Sequence, residues 1–527
     1  MWTFAVTHPR IERTSPTARP TTARALPRLQ HNLRPHIMNR LGQTPHVLLP
    51  ILCAIVMTLS STVATGANDR PNVVFILADD LGYSDLGCTG SDFYQTPNID
   101  TLAVDSVRFD QAYSSPTCSP SRAAIMSGKN PARLGIVGHG GLRSMAGGGD
   151  FLVSEEYTLA EALRDVGYTT CHIGKWHVGT KGVTGPQEQG FDEVIASNEF
   201  CCPGSYLYPF RDKRKQGKAV ERSAVPDLED RRPGDHLTQC LGEEAVAFLK
   251  RQKTSDKPFF LNLWHYAVHT PIQAKPEKVD KYKSLVQPDG HQRNPNYAGL
   301  VEHLDDSVGM VLRAIDDLAL SENTIVIFFS DNGGEIRKGV TSNYPLRSGK
   351  TSLYEGGVRV PLFIRWPGVT RGGERCNEPV VGHDLYPTIL RMVGTEGRRE
   401  QNSKMDGVDI TPLLRSPSAK LPSRSLHWLR YGELVHYPTY KNDREFGPCA
   451  AIRKGDWKLV ERYPTPHGLE HRFELFHLRD DPNEKQNLAS NYPEKLEELQ
   501  RDLTNWQTEI EIPSYMQLAY PAFEKVK

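Results

Sequence analysis

Acidic and amide side chains follow two apolar segments that have the composition of buried strands. Asp79 and Asp80 come directly after NVVFILA, and Asp331 and Asn332 come directly after TIVIFFS. Open α/β sheets bind their ligands at the carboxyl ends of the strands. Three carboxylates and an amide oxygen are hard donors, which suit calcium or magnesium better than zinc. Each segment alone would also be an acceptable turn, so the predicted cation site depends on the two segments together.

Cys118, Ser119, Pro120, Ser121 and Arg122 form a third polar cluster, which precedes the helical segment AAIMSG. The pattern C-x-P-S-R followed by a helix resembles the signature of the formylglycine-dependent sulfatases, a family with an alkaline-phosphatase-like fold. Further segments match that family in one order between about residue 70 and residue 510. They read FILADDLGYSDLG, GKWHVG, SDNGG, SGKTSLYEGGVRVP, GHDLYPTIL, DGVDITPLL and IRKGDWKLVE. We therefore predict an enzyme that hydrolyses sulfate monoesters.

The resemblance implies a nucleophile and a cation site. Cys118 would be oxidised after translation to formylglycine by a maturation enzyme, and Arg122 would hold the hydrated aldehyde. The resemblance favours Ca²⁺ as the cation, with Mg²⁺ as the alternative. The cation ligands would be the modified Cys118 and the four strand-end residues Asp79, Asp80, Asp331 and Asn332.

Further basic side chains would hold the sulfate and the leaving group. By the same resemblance, Lys175 and Lys350 would bind sulfate, and His177 would lie near the nucleophile. His269 would face the leaving-group oxygen. His265 is a second candidate for that role, with a packed strand-end histidine as the alternative interpretation. A cation and two lysines are needed because negative charge accumulates on the sulfate oxygens in the transition state.

Alternating apolar runs and amphipathic segments predict an α/β fold with a large, mixed, mostly parallel sheet between layers of helices. Strands are predicted at Asn72–Ala78, Phe259–Trp264, Thr324–Ser330 and Pro361–Trp366, with helices at Thr158–Val166 and Tyr297–Leu318. After residue 423, short strands predict a small antiparallel sheet with a closing helix at Pro493–Ile510. We therefore divide the chain into an N-terminal segment (1–67), a catalytic domain (68–422) and a C-terminal subdomain (423–527).

The N-terminal segment has the features of a secretory signal peptide. An apolar block, Val47–Leu59, lies between Arg40 and a run of small residues, and it is too short to span a bilayer. We predict that translation starts at Met38, that cleavage falls near Ala67, and that the protein is periplasmic or extracellular. After residue 67 the longest apolar runs are short strands, so we expect no stable membrane span in the mature chain.

Nine cysteines are present. Cys53 lies in the signal peptide and Cys118 is the expected site of modification, which leaves seven. An odd number cannot all pair within the chain, and their spacing indicates no disulfide framework and no zinc site.

The predicted substrate is a sulfated carbohydrate, of the galactose or N-acetylgalactosamine type, because exported enzymes meet polymers that do not cross membranes. Equal numbers of basic and acidic residues, 63 each, exclude a basic protein that coats nucleic acid. Candidate sugar contacts are His139, Arg143, Tyr206, Tyr208, Arg211, His303, Arg337, His427, Arg430 and His436. Two alternatives remain: a phosphodiesterase or phosphonate monoester hydrolase of the same superfamily, or a non-catalytic secreted glycan-binding protein.

Overall fold

The computed structural model describes residues 70–138, 152–198, 201–212, 223–398, 400, 403–431, 445–464 and 469–513, all within one compact unit. The predicted signal peptide, start site and cleavage site lie outside these residues. Among the residues described, no helix combines the length and apolar character that a membrane span requires.

The described residues form a large eight-stranded sheet, a two-stranded sheet and a four-stranded sheet. The strands are β1 (Asn72–Ala78), β2 (Val107–Phe109), β3 (Ala112–Tyr113), β4 (Thr169–Gly174), β5 (Glu193–Ile195), β6 (Phe259–Trp264), β7 (Thr324–Ser330), β8 (Leu362–Arg365), β9 (Arg375–Cys376), β10 (Val380–Val381), β11 (Ser425–Arg430), β12 (Cys449–Lys454), β13 (Trp457–Arg462) and β14 (Arg472–His477).

Helices connect these strands. The described α-helices are α1 (Pro97–Val104), α2 (Cys118–Ser127), α3 (Leu159–Asp165), α4 (Leu237–Gln252), α5 (Pro276–Lys283), α6 (Pro295–Asp317), α7 (Glu355–Val358), α8 (Leu385–Met392), α9 (Thr411–Arg415) and α10 (Pro493–Glu509). Short 3-10 helices lie at Gly87–Thr89, Ser321–Asn323, Arg337–Gly339 and Gly382–Asp384.

The large sheet has the order β5-β4-β6-β1-β7-β8-β2-β9. Its first five strands pair in parallel, whereas β8 pairs antiparallel with both β7 and β2. Side chains of β1 alternate between two cores: Val74 and Ile76 pack into one, and Phe75 and Leu77 into the other. Burial on both faces explains why this strand is a continuous apolar run.

Local sequence explains where the longest described helix begins. Pro295 occupies its first turn, where a missing N–H costs nothing. The Asn294 side chain accepts hydrogen bonds from the backbone N–H groups of Asn296 and Tyr297, and so caps the helix.

The last four strands form the predicted C-terminal sheet, in the antiparallel order β11-β12-β13-β14. Leu499, Leu503 and Trp506 of α10 pack into the same core as Ile452 and Leu459 of this sheet. The predicted fold class is confirmed. Strands β1, β6 and β7 have the predicted bounds, and the other predicted strands and helices differ from the observed ones by one or two residues at an end. The boundary at residue 423 stays a prediction.

Candidate active site

The candidate active site lies at the carboxyl ends of four adjacent parallel strands, β4, β6, β1 and β7. Backbone hydrogen bonds continue the ladder one residue past the strand ends. Lys175 donates to the Trp264 carbonyl over 2.8 Å, and Asp331 donates to the Ala78 carbonyl over 3.1 Å. The residues that follow the strands are therefore held side by side, as their spacing predicted.

Helix α2 supplies the predicted nucleophile position. Cys118 is its first residue, and Arg122 follows one turn later on the same face. The Ser115 backbone N–H donates to the Ser121 hydroxyl oxygen over 3.0 Å, which ties the preceding loop to the helix. Both Cys118 and Arg122 are fully buried.

The Arg122 guanidinium joins two of the strand ends. Its Nε and Nη2 donate to the same Asp331 oxygen over 2.9 and 2.8 Å, and Nη1 donates to the Lys175 carbonyl over 2.7 Å. The guanidinium carbon also lies 5.1 Å from the centroid of the Trp264 ring. Arg122 therefore orients a predicted cation ligand, and its contact with modified residue 118 stays a prediction.

Two lysines point into the cluster from different loops. Lys175 Nζ lies 2.5 Å from Asp79 Oδ2, and Lys350 Nζ lies 2.7 Å from the Asp80 carboxylate. Lys350 Nζ also lies 3.8 Å from Cys118 Sγ. The attraction within each ion pair offsets the desolvation cost of burying its two charges, and a single buried charge would have no such compensation.

The charges shift the pKa values of the carboxyl groups in opposite directions. Burial alone would raise the pKa of Asp80, but the ammonium groups of Lys350 and Lys175 hold that pKa well below the usual range. Burial, together with the negative charge of Asp79, raises the pKa of Asp331 to about 6. Burial also raises the pKa of the Cys118 thiol to about 12.

The oxygen atoms of the cluster fit a divalent cation. Asp79 Oδ1 and Asn332 Oδ1 are buried and accept no hydrogen bond, a costly state for a polar atom. Asn332 Nδ2 donates to Asp80 Oδ1 over 2.8 Å, which fixes the orientation of the amide. Ligand atoms of Asp79, Asp80, Cys118 and His269 lie within 4.8 Å of one another. Mostly hard oxygen donors in this arrangement suit Ca²⁺ or Mg²⁺.

His269 and His265 have different surroundings. His269 Nε2 lies 3.6 Å from Asp80 Oδ2, and Nδ1 lies 2.9 Å from the Thr270 carbonyl. Because a carbonyl only accepts, Nδ1 carries the proton and Nε2 faces the cluster. His265 Nε2 lies 3.5 Å from the Ser307 hydroxyl of α6, which fits a packed strand-end histidine. Burial lowers the pKa of both histidines to about 3.

Several loops that carry the site adopt backbone conformations that are costly for non-glycine residues. Positive φ angles occur at Asp80 (64°), His177 (62°), Ser348 (64°) and Thr351 (75°). Such strain is common at functional sites, where the surrounding structure holds it.

His177 lies half-buried in the loop after β4. Its predicted position beside residue 118 stays a prediction.

Comparison with known proteins identifies the family. Residues 71–395 match the sulfatase family model, and residues 348–511 match the model of the N-sulphoglucosamine sulphohydrolase C-terminal region. The chain belongs to the sulfatase family. The predicted family, the fold class and the activity of a sulfuric ester hydrolase are thereby confirmed.

Relatives of this sulfatase include N-acetylgalactosamine-6-sulfatase from Canis lupus familiaris, which is 31% identical over 85% of this chain and 87% of its own. Steryl-sulfatase from Rattus norvegicus is 32% identical over 70% of this chain and 74% of its own. The solved structure of Ps i-CgsB in complex with k-i-k-neocarrahexaose has a TM-score of 0.71 and 29% identity. It covers 87% of this sulfatase and 99% of its own chain.

The sequence analysis missed Asp85, a buried carboxylate that connects the loops of the sulfatase site. It accepts hydrogen bonds from Gly82 N (2.9 Å), Tyr297 OH (2.7 Å), Thr341 Oγ1 (2.8 Å) and Gln292 Nε2 (3.1 Å). One side chain therefore ties the loop after β1 to α6 and to the loop after β7. Asp85 lies within the segment FILADDLGYSDLG, but nothing in its spacing indicates these distant partners.

Three of the predicted sugar contacts are wrong, because the structure buries them in other interactions. Tyr206 is fully buried and donates to the His269 carbonyl over 3.1 Å. His303 is buried and stacks on His236 with ring centroids 3.7 Å apart. Arg430 is buried and donates to backbone carbonyls of the segment before β12.

The other predicted sugar contacts have mixed surroundings. His427 stacks on Trp506 of α10, with ring centroids 4.6 Å apart, so its ring supports the C-terminal sheet. Arg211 is exposed, whereas Tyr208 and Arg337 are half-buried. The remaining three candidates lie outside the described residues: His139, Arg143 and His436.

Proposed function

We propose that this sulfatase is exported and hydrolyses sulfate monoesters on galactose- or N-acetylgalactosamine-type sugars of sulfated polysaccharides. The observation that carries the chemistry is the meeting of Cys118, Lys175 and Lys350 with three carboxylates in one buried cluster. Two relatives support the sugar: one is named for N-acetylgalactosamine, and the other was solved with a neocarrahexaose. The steryl-sulfatase match covers less of the chain.

The cation of this proposal is Ca²⁺, with Mg²⁺ as the alternative. Its ligands are residue 118 together with Asp79, Asp80, Asp331 and Asn332, and the buried oxygens of Asp79 and Asn332 that accept no hydrogen bond support this set. When bound, such a cation polarises the sulfate group. Arg122 keeps Asp331 oriented through the two hydrogen bonds to one oxygen.

The nucleophile of this proposal is a formylglycine made from Cys118 by a maturation enzyme. Once hydrated, this group would supply two hydroxyls, one of them the nucleophile. The position of Cys118 at the first residue of α2, with an ammonium group 3.8 Å away, supports this role because both features favour negative charge there.

The charged side chains divide the remaining work. Lys175 and Lys350 approach from opposite loops and bind the sulfate oxygens, where negative charge increases during the reaction. Nε2 of His269, which faces the cluster and carries no proton in the neutral ring, takes up a proton when the negatively charged ester binds and donates it to the leaving oxygen. His177 accepts a proton from a hydroxyl of the hydrated formylglycine at position 118.

The substrate is tested by measuring kcat/KM on a panel of esters with purified enzyme. The panel contains galactose and N-acetylgalactosamine sulfates, sulfated galactan oligosaccharides, a steroid sulfate, an aryl sulfate and an aryl phosphate diester. We expect the highest kcat/KM among the natural esters on a sugar sulfate. A higher value on the steroid sulfate would contradict the substrate class, and preference for the phosphate diester would favour a phosphodiesterase.

Maturation and export are tested on protein from the native source. Peptide mass spectrometry across residue 118 should show the thiol replaced by an aldehyde oxygen, and unmodified Cys118 alone would contradict the proposed nucleophile. N-terminal sequencing of the exported protein should start near residue 68. A sequence that begins within residues 1–37 would contradict both the predicted start at Met38 and the cleavage.

A further inference from the structure

Cys201 and Cys202 are adjacent in the chain, and their side chains lie together beside the active site. Their Sγ atoms are 3.1 Å apart, and both residues are half-buried. The described cysteines are all free thiols, and Cys118, Cys171, Cys240, Cys376 and Cys449 are buried. Nothing in the proposed reaction uses this pair.

The segment that carries the two thiols is anchored on both sides to the loop that carries His269. Upstream, Asn198 N donates to the Tyr266 hydroxyl oxygen over 3.1 Å. Downstream, Tyr206 OH lies within hydrogen-bond distance of the carbonyls of Tyr266 (2.5 Å) and His269 (3.1 Å), and Tyr206 N donates to Gln273 Oε1 over 2.9 Å. A change of backbone conformation at residues 201–206 therefore acts on the position of His269.

The electrostatic surroundings make one of the two thiols reactive. The hydrogen bond with Cys202, aided by the positive charges of Lys175 and Lys350, lowers the pKa of Cys201 to about 7. The same contact raises the pKa of Cys202. A substantial thiolate fraction near neutral pH is the condition for thiol–disulfide exchange.

Geometry also determines which kind of disulfide this pair can form. Neighbouring Cα atoms in a trans chain lie about 3.8 Å apart, whereas disulfides usually join Cα atoms about 4.4–6.8 Å apart. A bond between adjacent cysteines is therefore strained, and strained disulfides are the readily reduced ones. This property suits a reversible bond better than a structural one.

We propose that Cys201 and Cys202 are a redox pair that forms a reversible vicinal disulfide and lowers sulfatase activity when oxidised. The oxidant is a low-molecular-weight disulfide such as glutathione disulfide. The Cys201 thiolate attacks one of its sulfurs, which forms a mixed disulfide and releases one glutathione thiolate. Cys202 then loses its proton and attacks Cys201 Sγ, which releases the second thiolate. The chain loses two electrons and two protons, and the oxidant becomes two thiols.

The pair is tested first without reference to activity. The purified enzyme is equilibrated in buffers of varied glutathione to glutathione disulfide ratio, and free thiols are then trapped with an alkylating agent. Mass spectrometry of the peptide that contains residues 201 and 202 should show two alkyl groups in reducing buffer. In oxidising buffer the same peptide should carry no alkyl group and should have the mass expected for an internal disulfide. A peptide that keeps both alkyl groups at every ratio would overturn the proposal.

Activity is then measured on the oxidised and reduced enzyme, with N-acetylgalactosamine 6-sulfate and with an aryl sulfate. We expect oxidation to lower kcat/KM about tenfold on at least one of them, because small displacements of catalytic groups cost up to about 100-fold. Dithiothreitol should restore the activity. An enzyme that fails on the sugar ester in both states contradicts the proposed substrate, while the aryl sulfate and the trapping still test the redox pair.

Variants assign the effect to these two residues. C201S should hold reduced-state activity at every glutathione ratio, and C88S, at another half-buried cysteine, should respond like the wild type. C202S should stop at the mixed disulfide, so that its peptide carries glutathione on Cys201. If a serine variant does not fold, the corresponding alanine variant replaces it. Unchanged wild-type activity after full conversion to the disulfide, or a response in C201S equal to that of the wild type, would overturn the regulatory role.

Discussion

His269 is the buried side chain whose removal should separate two kinds of substrate. The H269A variant should lose activity on sugar sulfates by about 10²–10⁴-fold, the usual contribution of a general acid. Activated aryl sulfates should lose much less, because their leaving group needs little protonation. The measurement is kcat/KM on one ester of each kind.

His265 provides a matched control for this comparison. It is also buried and lies four residues away, but its ring faces Ser307 of α6. H265N should affect both substrates to the same extent. Equal losses on the two substrates in H269A would contradict the assignment of His269 as the proton donor.

Asp79 carries a buried oxygen that accepts no hydrogen bond, so we expect it to be a cation ligand. Calcium should raise the melting temperature of the wild-type protein, because a ligand that binds only the native state stabilises it. D79N should reduce or abolish this calcium-dependent shift, whatever its own melting temperature. D306N, at a half-exposed residue of α6, should keep the full shift. A full calcium response in D79N would contradict the proposed ligand set.

Helix α1 depends on a carboxylate from another helix. Asp305 of α6 accepts hydrogen bonds from the first-turn N–H groups of Asn98 (3.2 Å) and Ile99 (2.8 Å). These donors have no partner within their own helix. D305A should therefore lower the free energy of unfolding by about 1–3 kcal/mol, the cost of leaving buried donors unsatisfied, as measured by urea denaturation.

The neighbouring Asp306 is the control for this prediction. It pairs with Lys278 over 2.8 Å, and its side chain is 51% exposed. D306A should change the free energy of unfolding by about 0–1 kcal/mol, as is usual for exposed ion pairs. Equal destabilisation by D305A and D306A would show that the contact with α1 does not stabilise the fold.

The strand ends illustrate what could be predicted from the chain alone. Asp79 and Asp331 lie 252 residues apart, yet both follow apolar runs, and parallel strands bring such ends together. Asp85 and the Cys201–Cys202 pair were not predicted, because their roles depend on loops whose paths no periodicity indicates. Tyr206 was misassigned since a tyrosine in a polar segment suits a sugar contact and a buried hydrogen bond equally well.

A buried ion cluster joins the C-terminal sheet to the loops of the large sheet. Lys458 of β13 lies 2.8 Å from Glu355 of α7 and 2.9 Å from Glu484, and all three side chains are buried. Two carboxylates share one ammonium group. Burial and the negative charge of Glu355 raise the pKa of Glu484 to about 7, against the attraction of Lys458.

This raised pKa predicts how stability depends on pH. The folded protein holds a proton on Glu484 more tightly than the unfolded chain does, whose glutamates titrate near 4.5. The stabilisation is fully present below about pH 4.5 and is lost as the pH rises through about 7. E484Q cannot ionise and therefore does not lose this stabilisation. As the pH rises from about 4.5 to about 7, the free energy of unfolding of E484Q minus that of the wild type should increase by about 1–3 kcal/mol.

Denaturant titrations of both proteins at several pH values provide the measurement. E494Q, at an exposed residue of α10, should follow the wild-type pH dependence. Parallel curves for E484Q and the wild type would show that Glu484 does not change its protonation on folding in this range.

The complete burial of Cys118 has a consequence for the order of events during biosynthesis. Its exposed fraction is 0%, and the backbone just before it is held in place, since Thr351 N donates to the Pro116 carbonyl over 2.8 Å. An enzyme that converts this thiol must therefore reach the chain before α2 packs against the sheet. If Cys118 is converted as proposed, the yield of active protein depends on whether conversion or folding is faster, and a molecule that folds first keeps an unmodified thiol and stays inactive. When the sulfatase is overproduced, slower folding of its chain, rather than higher stability, should increase the active fraction.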